Sequence, residues 1–171
     1  MNYRHPSTRH AAHKSRPASL VLAVAMLLGI VPANQGENTT AAEVHAKRGM
    51  SFAHSQDWAG AERELKQAVS AAPGVAIYHA QLASILGLEG KWNECQRNFE
   101  RAVELDPKNI SFRRETAAVQ WQTGSIDAAE RNLRFVLERV PADPGATLLL
   151  GLVAEARGNY KNAATLLSSQ M

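Results

Sequence analysis

The sequence predicts an all-α solenoid built from antiparallel helix pairs, with three full repeats and a partial fourth. The prolines Pro73, Pro107 and Pro141 are each separated by 34 residues, a fixed period typical of stacked copies of one small unit. Within each unit, apolar residues recur three and four positions apart in two successive stretches, as expected for two amphipathic helices. Glycine separates the two stretches in most units. We therefore expect repeats at 42–75, 76–109 and 110–143 and a partial repeat at 144–171, after a short linker at 34–41.

The second unit shows the helical pattern most completely. Its first apolar stripe consists of Tyr78, Leu82, Ile85 and Leu86, and its second of Trp92, Cys95, Phe99, Ala102 and Val103. Because one such pair cannot bury both stripes by itself, neighbouring pairs have to stack, and about three copies are needed for stability. The aligned prolines prevent the second helix of each unit from simply continuing.

The boundary between the two helices of a unit also repeats. Glycine just past a helix end accepts the left-handed backbone that closes the helix. The residues at this register are Gln56, Gly90, Gly124 and Gly158. Asp, Ser and Asn are favoured at the start of a helix, where their side chains accept a backbone N–H. The predicted caps of the second helices are Asp57, Ser125 and Asn159.

Small residues share one register of the second helices, where two helices must approach closely. They are Ala61, Cys95, Ala129 and Ala163. Cys95 is the only cysteine, so it cannot form an internal disulfide. Its register predicts a buried and inert thiol, and the alternative is a reactive or intermolecular thiol.

These residues resemble tetratricopeptide repeats, whose 34-residue unit follows the pattern W-x2-L-G-x2-Y, then A-x3-F, then P. The second half matches as Ala61-x3-Leu65, Cys95-x3-Phe99 and Ala129-x3-Leu133, each followed by its proline. The first half matches loosely, since its opening aromatic position holds His45, His79, Arg113 and Thr147. The resemblance covers about residues 42–171 and implies a right-handed superhelix whose first helices line a concave, protein-binding groove.

The resemblance also implies which residues contact a partner. At the corresponding registers of the first helices stand Met50, Ile77, Leu88, Arg114, Trp121, Leu148 and Leu152. Trp and Arg often anchor interfaces, although Trp121 could instead pack inside the array. The carboxylate clamp of some co-chaperones is not expected, because Ala46 and Met50 stand at the first copy's clamp places.

Residues 1–33 form a leader of a different kind. Four basic residues precede an apolar run at 18–31, and Val31-Pro32-Ala33 offers small residues at a cleavage site. This order predicts a cleaved secretory signal peptide, and the alternative is an uncleaved N-terminal membrane anchor with its basic end inside. We therefore expect an exported protein, periplasmic or extracellular, or else one held at the inner membrane and facing outward.

The net charge and the absence of catalytic motifs argue against two classes of function, nucleic-acid binding and catalysis. Without the leader the chain has 15 basic and 16 acidic residues, which argues against a nucleic-acid partner bound through net charge. We find no phosphate loop, nucleophile elbow or third ligand beside His45 and His79, and we expect no catalytic residue, cofactor or metal.

The sequence thus predicts an exported scaffold that holds a protein or peptide partner, in a process such as envelope assembly or secretion. The first alternative is the N-terminal module of a longer or truncated exported enzyme. The second is a structural subunit that self-associates through an uncapped C-terminal end.

Overall fold

A computed structural model of the protein describes residues 35–168, which form eight α-helices and no strand. The helices are α1 (Gln35–His54), α2 (Trp58–Ala71), α3 (Ala76–Leu88), α4 (Trp92–Leu105), α5 (Ile110–Gln122), α6 (Ile126–Arg139), α7 (Pro144–Ala156) and α8 (Tyr160–Ser168). The predicted all-α solenoid of antiparallel helix pairs is confirmed. The predicted leader lies outside the described residues.

The bounds of the helices repeat with the period of the prolines. Second helices begin at Trp58, Trp92, Ile126 and Tyr160, each 34 residues after the last. First helices end at the same interval, at His54, Leu88, Gln122 and Ala156. The regularity arises because the same turn ends every first helix.

That turn uses a left-handed residue. The φ angles are +74° at Gly90, +80° at Gly124 and +73° at Gly158, as predicted, and Gln56 adopts +60° at the same register. In the second repeat the Lys91 N–H donates to the Leu86 carbonyl at 2.8 Å, and the Gly90 N–H donates to the Gly87 carbonyl at 3.1 Å. This pair of bonds satisfies carbonyls that the helix end would leave free. The other three repeats make the equivalent bonds.

The predicted caps of the second helices are confirmed in two of three cases. Asp57 accepts from the Gly60 N–H at 2.9 Å, and Asn159 accepts from the Asn162 N–H at 3.3 Å. The prediction was wrong for Ser125, which stands at the cap position but makes no side-chain cap bond.

Two apolar clusters fill the space between the stacked pairs. One joins the first two repeats around Leu65, Leu86 and Phe99 and includes Val119 of the third, and the other joins the third and fourth around Leu133 and Val153. The small-residue register lies inside, as predicted. Its four members, Ala61, Cys95, Ala129 and Ala163, are at most 4 % exposed. Small side chains at this register let the facing helices approach, and the large residues four positions later fill the space beside them.

Polar side chains replace the aromatic residue that opens the repeat pattern, and in the first three repeats this side chain has a hydrogen-bonding partner on the second helix, whereas Thr147 of the fourth donates to the Asp143 carbonyl. The partners in the first three repeats lie 19 residues later in every case: His45 Nδ1 with Glu64 Oε2 at 2.8 Å, His79 Nδ1 with Asn98 Oδ1 at 3.2 Å, and Arg113 Nη1 with Asn132 Oδ1 at 2.9 Å. His79 and Arg113 also bond the carbonyl oxygens of Pro73 and Pro107. Hydrogen bonding therefore joins the two helices of a pair where apolar packing is usual.

The N-terminal boundary of the first repeat differs from the expected linker at 34–41. Helix α1 already begins at Gln35, seven residues before the register at which the other first helices start. Residues 35–41 contain no proline. Extending a helix that has already formed costs less conformational entropy per hydrogen bond than starting a new one. Residues 35–41 can therefore continue α1 towards the N-terminus.

Candidate functional site

Two open grooves lie between successive first helices in the described part of the chain. The first groove has a volume of about 450 Å³ and separates α1 from α3. Its lining residues are Glu43, Ala46, Lys47, Met50, Ser51, His54, Tyr78 and Gln81. The second groove has a volume of about 520 Å³ and separates α3 from α5. Its lining residues are Ala83, Ser84, Gly87, Leu88, Trp92, Cys95, Phe99, Glu115, Ala118, Val119, Trp121, Gln122 and Leu149.

The second groove is the more apolar of the two. Leu88, at the end of α3, is 63 % exposed, and Trp92, at the start of α4, is 41 % exposed. Trp121 from α5 is half-buried and packs against the second apolar cluster while it lines the groove. Large apolar side chains this exposed are stabilised when a partner covers them.

The structure brings some of the predicted contact residues together and separates others. Leu88 and Trp121 line the second groove, and Met50 lines the first. Ile77 is 46 % exposed and Leu148 is 48 % exposed, but neither lines a groove described above. Leu152 is half-buried on α7 and lines neither groove. Ile77, Leu148 and Leu152 are thus apolar residues of the first helices that lie outside both grooves.

Arg114 is held by the protein itself. Its Nη1 donates to Asp143 Oδ2 at 2.8 Å, and Asp143 also caps α7 by accepting from the Ala146 N–H at 2.8 Å. Burial by itself raises the pKa of the Asp143 carboxyl, but hydrogen bonds from the Ala146 amide and the Arg114 guanidinium outweigh it and lower that pKa. Arg114 therefore joins α5 to the start of α7, and a partner would have to compete with Asp143 for it.

The sequence did not predict that α4, the second helix of the second repeat, forms one wall of the second groove. Trp92, Cys95 and Phe99 of α4 line the second groove, and Gly87 leaves open the space beside Cys95 and Trp92, to which a Cβ built there would lie at 3.4 and 3.7 Å. One feature of the sequence could have indicated this wall: the position that holds Trp121 in the third repeat holds Gly87, with no side chain, in the second. Cys95 is 1 % exposed, and its burial raises the pKa of the thiol to about 11. This agrees with the expected inert thiol, because the reactive thiolate is suppressed near neutral pH.

His45 and His79 are engaged in the fold, whereas His54 lines the first groove. His45 bonds Glu64, and His79 bonds Asn98 and the Pro73 carbonyl. Across residues 35–168, no group of three or more His, Cys, Asp or Glu side chains is placed to hold a metal ion. Over the same residues, no helix combines the length and the apolar character needed to cross a membrane.

Comparisons with known proteins support the repeat fold. A family model described as tetratricopeptide repeat matches residues 116–169. Searching the curated proteins gave no match. Among solved structures, the MamA protein is 21 % identical, with a TM-score of 0.72 and coverage of 79 % of this chain and 72 % of that one.

Two further solved structures carry peptide binding in their descriptions. YrrB, described as a TPR protein with an unusual peptide-binding site, is 18 % identical, with a TM-score of 0.72 over 89 % of this chain and 78 % of that one. The first TPR of Spaghetti (RPAP3), bound to the HSP90 peptide SRMEEVD, is 18 % identical, with a TM-score of 0.66 over 70 % of this chain and 95 % of that one. At these identities the likeness shows the tetratricopeptide-repeat fold.

Proposed function

We propose that this tetratricopeptide-repeat array is a non-catalytic scaffold that holds a peptide segment of a partner protein along its first helices. The observation that carries the proposal is the second groove, where exposed Leu88 and Trp92 face half-buried Trp121 across an open volume of about 520 Å³. Concave apolar surfaces with a few polar groups are typical of peptide recognition. The peptide-binding descriptions of YrrB and RPAP3 support the same use of the fold.

The energy of capture would come mainly from burying apolar surface. Leu88 alone leaves most of its side chain in water, and fully covering a leucine is worth about 1.5–3 kcal/mol. A binding segment also loses freedom, so only the best-covered contacts contribute strongly. We therefore assign the main contacts to Leu88 and Trp121, and we assign a lesser role to Met50 in the first groove.

The experiment is a selection of random peptides displayed on phage against the purified chain, followed by titration of the enriched peptides. Leu88→Ala should weaken their binding about tenfold, and Trp121→Ala should do the same or more. Gln67→Ala, an exposed change on α2 outside both grooves, is the matched control. Circular dichroism checks that each variant keeps its helix content. Enriched peptides that bind Leu88→Ala and wild type equally would contradict the proposal.

We also propose that the array works outside the cytoplasm, in envelope assembly or secretion. The support is the order of basic residues, apolar run and small-residue site in residues 1–33. A fusion of alkaline phosphatase to the C-terminus should be active in cells, since that enzyme needs an oxidising compartment for its disulfides. Deleting residues 2–33 should abolish the activity. Cleavage after Ala33 would give a mature protein that begins at Asn34, whereas retention of the leader would indicate the membrane anchor.

A further inference from the structure

Gly87 is a glycine that the fold does not require. It lies in the last turn of α3, and its backbone does not have a positive φ angle. A Cβ added there would lie 3.4 Å from Cys95 Sγ and 3.7 Å from Trp92 Cζ3, which are ordinary contact distances. Glycine inside a helix is less stable than alanine at the same place. Neither backbone geometry nor packing accounts for its presence.

The missing side chain instead gives the second groove its depth. The space beside Gly87 opens onto the buried Cys95 and onto Trp92, in the groove that Phe99 and Trp121 also line. At the same register the other repeats carry side chains, in Ala53, Trp121 and Glu155. The second repeat thus has a recess where the third has its largest side chain.

The rim of this recess is acidic. Glu115 is the single charged residue among those that line the second groove, and its side chain is 50 % exposed. Within the described residues its cationic neighbour is Arg114, whose Nε lies 3.7 Å away while the same guanidinium donates to Asp143. The Glu115 carboxylate is therefore open to a better-placed cation from outside. Ser84 donates its hydroxyl to the Ala80 carbonyl, which leaves its oxygen free to accept a backbone N–H.

We propose that Gly87 opens a socket for one bulky apolar side chain of a bound peptide, and that a Lys or Arg of the same peptide pairs with Glu115. The inference rests on the proposed function and specifies the chemistry of the occupant. An aliphatic or aromatic anchor fits walls made by Leu88, Trp92 and Trp121. The neighbouring cation sets preference more than affinity, since an exposed ion pair contributes little by itself.

The test uses the full chain and three synthetic peptides: Ser-Lys-Ala-Leu-Ala-Lys-Ser, the same peptide with Ala for Leu, and the same peptide with Glu for both Lys. Binding is measured by calorimetry. Wild type should bind the first peptide at least tenfold more tightly than the Ala peptide and about threefold more tightly than the Glu peptide. Glu115→Gln should remove the preference for Lys over Glu and keep the preference for Leu over Ala.

Filling the socket supplies the decisive comparison. Gly87→Leu should weaken the Leu peptide about tenfold and leave the Ala peptide unchanged, so that the two changes are not additive. Glu155→Leu adds the same side chain at the same register on α7, where the residue is exposed, and should change neither. Gly87→Ala should raise the melting temperature by a few degrees and still weaken the Leu peptide, which separates loss of binding from loss of folding.

Each contrary outcome has a distinct meaning. Equal binding of the Leu peptide by wild type, Gly87→Ala and Gly87→Leu would overturn the socket, as would failure of wild type to distinguish Leu from Ala. The proposed function would still stand if the peptides selected above depended on Leu88. If the chain dimerised and Gly87→Leu abolished the dimer, the occupant would be a second copy, and the peptide assignment would be wrong.

Discussion

Replacing Gln56 by glycine should stabilise the array. Gln56 is the one described non-glycine residue with a positive φ angle, +60°, and it ends α1 with the bonding pattern that Gly90, Gly124 and Gly158 use. The Asp57 N–H donates to the Phe52 carbonyl at 3.0 Å and the Gln56 N–H to the Ala53 carbonyl at 3.0 Å, so the turn is fully formed. A side chain with a Cβ is therefore held in a conformation that suits glycine better.

The size of the effect follows from two opposing terms. The left-handed conformation costs a residue with a Cβ about 1–2 kcal/mol. Glycine gives back about 0.4–1 kcal/mol because it makes the unfolded chain more flexible. We expect a net stabilisation of about 0.5–1 kcal/mol, which corresponds to a rise in melting temperature of roughly 2–4 °C.

The reverse change provides a matched control. No heavy atom lies within 4 Å of a Cβ built on Gly124, where φ is +80°, so Gly124→Gln tests the backbone term alone. It should lower stability by about 0.5–1 kcal/mol, and combining it with Gln56→Gly should restore nearly the wild-type value. Urea titration followed by circular dichroism measures all four proteins. If Gly124→Gln is destabilising and Gln56→Gly is not stabilising, then Gln56 is held by something other than the turn, and the reasoning is wrong.

Three further predictions concern the caps, the buried ion pair and the thiol. Val75 stands at the start of α3 with extended backbone and no cap bond, so Val75→Asp should add about 1 kcal/mol in urea titration, whereas Val75→Ala should add nothing. Asp143 has a lowered pKa in the fold, so its contribution is present above the unfolded-state pKa and lost as the pH falls through the folded-state pKa. Asp143→Asn should therefore reduce stability at pH 7 and flatten the loss below about pH 4. Cys95 should react with a thiol reagent at pH 8 at least about 100-fold more slowly in the folded protein than in urea, and fast labelling of the folded protein would contradict its burial.

The fold was predictable from the sequence because its determinants are local and repeated. Glycine past three of the four first helices and proline past the first three second helices act within a few residues of where they stand, so the period of the sequence became the period of the helix bounds. The start of α1 was not predictable in the same way. Residues 35–41 lie outside the repeat and carry no signal that separates a continued helix from a linker.

The site was predictable only where the register decides it. Leu88 and Trp121 line one groove because positions 34 residues apart, give or take one, lie on neighbouring first helices. The pairing of Arg114 with Asp143 was missed, since it joins residues 29 positions apart through side chains that the repeat pattern does not constrain. The contribution of Trp92 was missed for a related reason. It depends on the absence of a side chain at Gly87. A periodic pattern shows which side chains recur, and it does not show the space that a missing side chain leaves.

The contrast between two registers shows where this array can encode a partner. At the close-packed register of the second helices, any large side chain would overfill a site that is at most 4 % exposed, and overpacking typically costs about 1–3 kcal/mol. The residues there are accordingly small in all four repeats. The register of Gly87 faces a groove, so the fold tolerates widely different volumes, from glycine in the second repeat to tryptophan in the third. Stability therefore requires small residues at the close-packed register and leaves the register of Gly87 free to vary. Its smallest and largest members, Gly87 and Trp121, line the same groove, and we expect a preference for particular partners to arise there.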